Sequence, residues 1–224
     1  MDKLGHYRVL ADLFRYPQEG FVQSVENVRQ FIQVTHPEAA AEIKFFKSHL
    51  PQKDLDKLQA LFTRTFDIQA ITTLDVAYVL FGDDYKRGEI LANLNREHLK
   101  AQNDCGVELS DHLPNLLTLI SKLEDEDLLQ ELIHIILGPA LLKMLKEFNP
   151  ENVDQKNKLY KKHYKTLLET IGENSLIYEH ALQALYLVLQ KDFDVKEQKV
   201  NDFMTDDFLK SVSDEMDIEK IANE

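Results

Sequence analysis

Apolar residues recur at three- and four-residue spacing along almost the whole chain, the signature of amphipathic helices. Tyr7, Leu10, Ala11 and Phe14 form a first stripe, and Tyr16-Pro17 stops it. Phe21, Val25, Val28, Phe31 and Ile32 form the next, running out near His36-Pro37. A short helix is predicted over Glu38–His49, and Pro51 opens another with Leu55, Leu58, Phe62 and Phe66 on one face. Thr72-x-x-Asp75 has the form of a capping box and predicts a helix carrying Leu74, Ala77, Tyr78 and Phe81. Gly82 supplies a left-handed cap, and Asp83 or Asp84 starts the following helix, whose apolar face is Ile90, Leu91, Leu94 and Ala101.

Asn103-Asp104-Cys105-Gly106 reads as a turn. Asp111 is then expected to N-cap a helix with Pro114 in its first turn and Leu113, Leu116, Leu117, Ile120 and Leu123 behind it. The most apolar segment, Leu128 to Phe148, is expected to be central. Gly138-Pro139 interrupts it, and a proline there deletes a backbone hydrogen bond, so a kink or break is predicted. Two further helices are predicted, over Val153–Ile171 with Tyr160, Tyr164, Leu167 and Ile171, and from about Ser175 to Phe193 with Leu176, Tyr178, Ala181, Leu182, Leu185 and Leu189. No segment alternates at period two, so no sheet is predicted. The expectation is an all-α, single-domain helical bundle of about nine or ten helices over residues 1–200.

Composition agrees with that pattern. Seven Gly and six Pro in 224 residues leave little material for the special turns of sandwiches and barrels. Thirty-nine acidic against 26 basic residues give a net charge of −13, which repels phosphate and excludes nucleic acid as a partner. The charge is uneven: residues 201–224 hold eight acids and two lysines and read as an acidic C-terminal tail, with Met204, Phe208, Val212 and Met216 spaced for an amphipathic helix when docked. The lone Cys105 cannot form an internal disulfide, no secretory signal opens the chain, and no eighteen apolar residues run together. These features lead to the expectation of a soluble cytoplasmic protein without direct membrane insertion.

Candidate chemistry is sparse. Neither glycine-rich phosphate motif is present, so no nucleotide or other cofactor is predicted. Glu131-x-x-His134 matches half of a carboxylate-bridged di-iron motif, but no second pair accompanies it. A solvated or hydrogen-bonded histidine is the preferred reading there, with a helical di-iron or metal-binding protein as the alternative function. Lys156, Lys158, Lys161, Lys162 and Lys165 make a basic patch, read as a solvated helix face.

One set of elements is more specific: Leu13-Phe14-Arg15-Tyr16-Pro17, then Phe66-Asp67, Leu80-Phe81-Gly82-Asp83, Arg87-Gly88 and Leu91, then Glu108-Leu109-Ser110-Asp111-His112-Leu113-Pro114. Over about residues 10–123 this resembles the NarJ/TorD family of molybdoenzyme assembly chaperones, and within it the NarJ, or nitrate reductase delta-subunit, branch. Two positions depart from the family pattern: Ser110 stands where Pro is typical, and Thr118 where an acid often follows.

The resemblance implies a TorD/NarJ-like helical domain that is not an enzyme. It implies a chaperone that binds the N-terminal segment of a molybdenum-cofactor oxidoreductase catalytic subunit and keeps the apo-enzyme competent for cofactor insertion. The client-peptide residues it implies are Glu108, Asp111, His112, Leu113 and Pro114, with Tyr78, Asp83 and Arg87. A structural role stands beside the functional one: Asp111 as a cap, Glu108 and His112 tying down the loop, and Arg87 paired with a nearby carboxylate. Client identity (nitrate reductase or a relative) and oligomeric state (monomer or dimer) stay open, and a generic helical adaptor is a further alternative.

Overall fold

Helix ends fall where short polar side chains and glycines can satisfy the terminal backbone groups. The computed structural model describes residues 4–163 and 176–196. In chain order the segments are α1 (Gly5–Leu10) running into a 3-10 turn (Ala11–Phe14), α2 (Phe21–Ile32), α3 (Pro37–His49), α4 (Leu55–Phe66), α5 (Val76–Phe81) and α6 (Tyr85–Lys100). Then come α7 (Leu113–Ile120), α8 (Glu126–Glu131), a π-helical turn (Leu132–Leu137), α9 (Gly138–Glu147), α10 (Pro150–His163) and α11 (Tyr178–Phe193). The fold is all-α. Among the described residues the only β-type contact is one isolated antiparallel bridge, between Asp75 and His112. The expected tail over 201–224 and the chain from 164 to 175 lie outside the described residues, as do the side chains of Tyr160, Lys161 and Lys162.

Asp54, Asp84 and Asp125 cap α4, α6 and α8 through their side chains, so α4 opens at Leu55 rather than at Pro51. Gly82 ends α5 at φ +62°, a backbone region costly for any residue with a Cβ. The capping box expected at Thr72 does not form. Thr73 Oγ1, not Thr72, accepts the Asp75 N–H at 3.2 Å, and the Asp75 carboxylate is used elsewhere.

The core is one continuous cluster in which α11 packs along α3 and α9, α3 along α2, and α5 along α9. Tyr178 at the start of α11 is fully buried, with the rings of Phe46 and Phe66 each 4.9 Å away and that of Phe62 at 5.9 Å. Such tilted and edge-on contacts join α3, α4 and α11 with a gain beyond area burial alone. Phe31, expected on the buried stripe of α2, is instead 58% exposed.

The Gly138-Pro139 step neither breaks nor sharply ends the central helix. The missing proline N–H is absorbed by the π-helical turn just before it, and α8 and α9 form one continuous rod. Gly138 is needed for space: a Cβ there would lie 3.0 Å from the Ile133 carbonyl oxygen and 3.1 Å from Val195 Cγ1. The rod, Glu126–Glu147, is long and apolar enough by composition to cross a bilayer, and 61% of that apolar window is buried inside the fold. Leu137, Leu141 and Met144 along it are wholly buried.

Candidate functional site

The Asp75–His112 bridge organises a cluster of charged side chains. Val76 N–H donates to the Asp111 carbonyl at 3.1 Å and Leu113 N–H to the Leu74 carbonyl at 2.9 Å. These two bonds flank the pair, which is therefore the close, non-hydrogen-bonded kind, and they bring the Asp75 and His112 side chains together. His112 Nδ1 lies 3.4 Å from Asp75 Oδ1.

Asp111 does not cap α7, as its sequence position suggested. His112 occupies the α7 N-cap with no side-chain capping bond, while Asp111 Oδ2 accepts the Ala77 N–H at 3.1 Å. Asp111 thus caps the first turn of α5, 34 residues earlier in the chain. The bridge causes this: pairing 74–76 with 111–113 turns the carboxylate onto the α5 N-terminus, where the helix dipole favours negative charge. With α5 capped from outside, Asp75 is free to meet Arg87 in the first turn of α6.

Arg87 Nη2 donates to Asp75 Oδ2 at 3.1 Å, and Arg87 Nε stands 3.9 Å from Asp111 Oδ2. The guanidinium also sits 5.0 Å from the centre of the Tyr78 ring, a cation–π geometry. Asp111 is completely buried, and its Oδ1 has no hydrogen-bond partner beyond its own backbone N–H. Burial, then repulsion from Asp75, push the Asp111 carboxyl above its ordinary range, and Arg87 only partly offsets this. The geometry supports that ranking, because the guanidinium is engaged with Asp75 first. Asp67, at the end of α4, is pushed up as well, by burial and then by Glu108; Asp75 adds to the repulsion and His112 counters it. Asp75 and Asp111 therefore share one arginine, with Asp67 and Glu108 close to His112's side of the cluster.

The loop before α7 is pinned by side-chain amides. Asn115 Nδ2 donates to the carbonyls of Cys105 at 3.2 Å and Leu109 at 3.0 Å. Asn103 Nδ2 donates to the Asn115 carbonyl at 3.2 Å and to His98 Nδ1 at 2.9 Å. His98 Nε2–H then donates to the Ser110 carbonyl at 2.9 Å, which fixes a neutral tautomer, and burial lowers the His98 pKa accordingly. Ser110 uses the hydroxyl that a proline lacks: Oγ–H donates to the Leu91 carbonyl at 3.1 Å and ties the loop to α6.

Beside the cluster lies an open groove of ≈ 800 Å³. Asp67 and Tyr78, 40% exposed, stand on one side, and Lys143, Lys146 and Lys156 of α9 and α10 on the other. Two of these lysines are already engaged: Lys143 with the Leu80 carbonyl at 3.1 Å, and Lys156 with the Ile71 carbonyl and with Glu147.

The residues singled out in the sequence separate into three groups. Asp111, His112, Arg87 and Tyr78 come together. Glu108 and Asp83 are exposed on loops, Glu108 close enough to Asp67 to perturb it. Leu113 and Pro114 are buried, so they anchor the loop and present nothing to a ligand. Asp75 and Asp67 were missed as site residues; the only local signal was their place beside the family-like elements. His134 Nε2–H donates to Gln130 Oε1 at 3.0 Å on the outside of the central rod. Among the described residues, the one cluster of metal-binding side chains lies elsewhere, at His6, His36 and Asp192. The chain matches no protein-family model and no curated protein.

Proposed function

We propose that the protein is a molybdoenzyme assembly chaperone that binds the N-terminal segment of a catalytic subunit of the nitrate reductase type, acting by binding rather than by catalysis. One observation carries this reading. The family-like elements, Phe66-Asp67, Arg87 after Phe81-Gly82, and Glu108 to His112, are spread over nearly fifty residues of sequence yet converge on one charged surface beside one groove.

That surface suits an amphipathic client helix with basic residues. On its Asp67 and Glu108 side the carboxylates repel each other, so a client lysine or arginine there relieves repulsion already present in the free protein, while Lys143, Lys146 and Lys156 line the opposite side. Tyr78 and the apolar groove floor take the client's leucine or phenylalanine anchors, each contributing about 1.5–3 kcal/mol when buried. Ordering a flexible peptide costs several kcal/mol, so three or four anchors leave an affinity on the order of micromolar, suited to a reversible holder.

The test is a pull-down from the native host with identification of the co-purified large subunit, followed by calorimetry with that subunit's N-terminal peptide. Binding that weakens with salt is expected. Absence of binding to both the peptide and the apo-subunit overturns the proposal.

A further inference from the structure

We propose that His6, His36 and Asp192 form a binding site for one transition-metal dication of the zinc class, which clamps the start of α1, the α2–α3 junction and the end of α11 together. This goes beyond the chaperone reading and does not rest on it. The three residues lie far apart in sequence, and the fold alone assembles them. His6 Nε2 is 2.6 Å from Asp192 Oδ2, His36 Nε2 is 2.9 Å from Asp192 Oδ1, and the ligating atoms all fall within 4.8 Å of one another. Ligands sharing a tetrahedral zinc at bonds of about 2.0–2.2 Å stand roughly 3.3 Å apart. Only small side-chain shifts separate the two arrangements.

His36 is oriented from behind. Its Nδ1 lies 2.9 Å from Thr35 Oγ1, which in turn lies 3.3 Å from the Ile32 carbonyl. The ring is thus held with Nε2 facing the Asp192 carboxylate, and an outer hydrogen bond of this kind is what orients a metal-ligating histidine.

The surroundings supply the rest of such a site. Tyr7 O–H donates to Asp192 Oδ2 at 2.9 Å and orients the carboxylate. Tyr7 is wholly buried and its hydroxyl is already spent on Asp192, so it acts as a supporting donor and not as a ligand. The His36, His6 and Asp192 side chains are 7%, 14% and 20% exposed, recessed but reachable. A cavity of ≈ 410 Å³ lined by His36, Leu187 and Lys191 lies beside the site. Two imidazoles and one carboxylate select zinc-class ions over Ca²⁺ and Mg²⁺, which want oxygen ligands throughout.

The test uses the full chain, purified without a histidine tag and stripped with chelator, at pH 7.5. Equilibrium dialysis against Zn²⁺ is expected to give one bound equivalent. Co²⁺ is expected to add visible d–d absorption, and saturating Zn²⁺ to raise Tm by about 5–10 °C. His36→Asn, Asp192→Asn and the more peripheral His6→Ala are each expected to weaken binding by about 100-fold or more, with circular dichroism checking that each stays helical. A folded wild-type chain that binds no stoichiometric Zn²⁺ or Co²⁺, or folded variants that bind as well as wild type, overturns the proposal and leaves a histidine–aspartate ion pair.

Discussion

Two clusters in this fold pair histidine with aspartate, and they are built on opposite electrostatic terms. At Asp192 three donors, His6, His36 and Tyr7, serve a single carboxylate, and every oxygen is satisfied. At the Asp75–His112 bridge Asp75 and Asp111 share one arginine, Asp75 has one long histidine contact, Asp67 is repelled by Glu108 nearby, and one oxygen of buried Asp111 has no partner from another residue. The first arrangement is complete within the chain or needs only a small cation. The second stores unrelieved negative charge next to an open groove, which is the condition for recruiting a basic partner. The same residue types thus act as a clamp in one place and as a docking surface in the other, and the ratio of donors to acceptors decides which.

The largest effect that tests this contrast is expected from Arg87→Ala. It removes the one permanent cation near buried Asp111 and part-buried Asp75, and leaving such groups without their partner costs about 1–3 kcal/mol. Urea denaturation measures it. Adding Asp111→Asn to the same chain is expected to recover a good part of the loss, since the uncompensated charge goes with it. A loss below about 1 kcal/mol for Arg87→Ala would mean that the cluster is better solvated than its burial implies.

A smaller effect is expected at the satisfied cluster. Tyr7→Phe removes one of three donors to Asp192 and leaves two, so the cost is that of one hydrogen bond, about 0.5–1.5 kcal/mol. The matching thermal melt separates the two regions: a donor in surplus matters less than a cation in deficit.

Much of the fold could be read from the sequence, and the reasons some could not are specific. Helix positions followed from local periodicity, and Asp84, Gly82 and the Arg87–carboxylate pairing follow from chemistry within a dozen residues. Asp111 shows the limit: a short polar residue before a helix is ordinarily that helix's cap, but a two-bond bridge redirected it to α5. The Pro139 step is similar, since a π-helical turn is a register choice made by packing and not by propensity. His6, His36 and Asp192 left no local trace, because Asp192 lies 156 residues from His36 and 186 from His6, and only the docking of α11 against α3 and α1 joins them.

Glu108→Gln tests the docking surface with a still smaller change. Glu108 is exposed, so its loss is expected to leave Tm unchanged and to weaken the client peptide a few-fold at low salt. At high salt the difference should vanish. An equal loss at both ionic strengths would place Glu108 in a direct, desolvated contact instead.

The finest test concerns a slope rather than a level. Because burial and Asp75 hold the Asp111 carboxyl above its ordinary 3.8, the folded chain retains a proton there that the unfolded chain releases. Its contribution to stability is therefore full below about pH 3.8 and is lost as pH rises through the higher folded value. Asp111→Asn cannot titrate but keeps a carbonyl oxygen for the Ala77 N–H. The stability of wild type minus that of Asp111→Asn, measured by urea melts from pH 3.5 to 7, is expected to fall with rising pH and then level off. If Arg87 governed the site instead, the difference would rise with pH. The sign of this slope thus reports whether Asp111 belongs to a satisfied ion pair, as Asp192 does, or to a surface still short of positive charge.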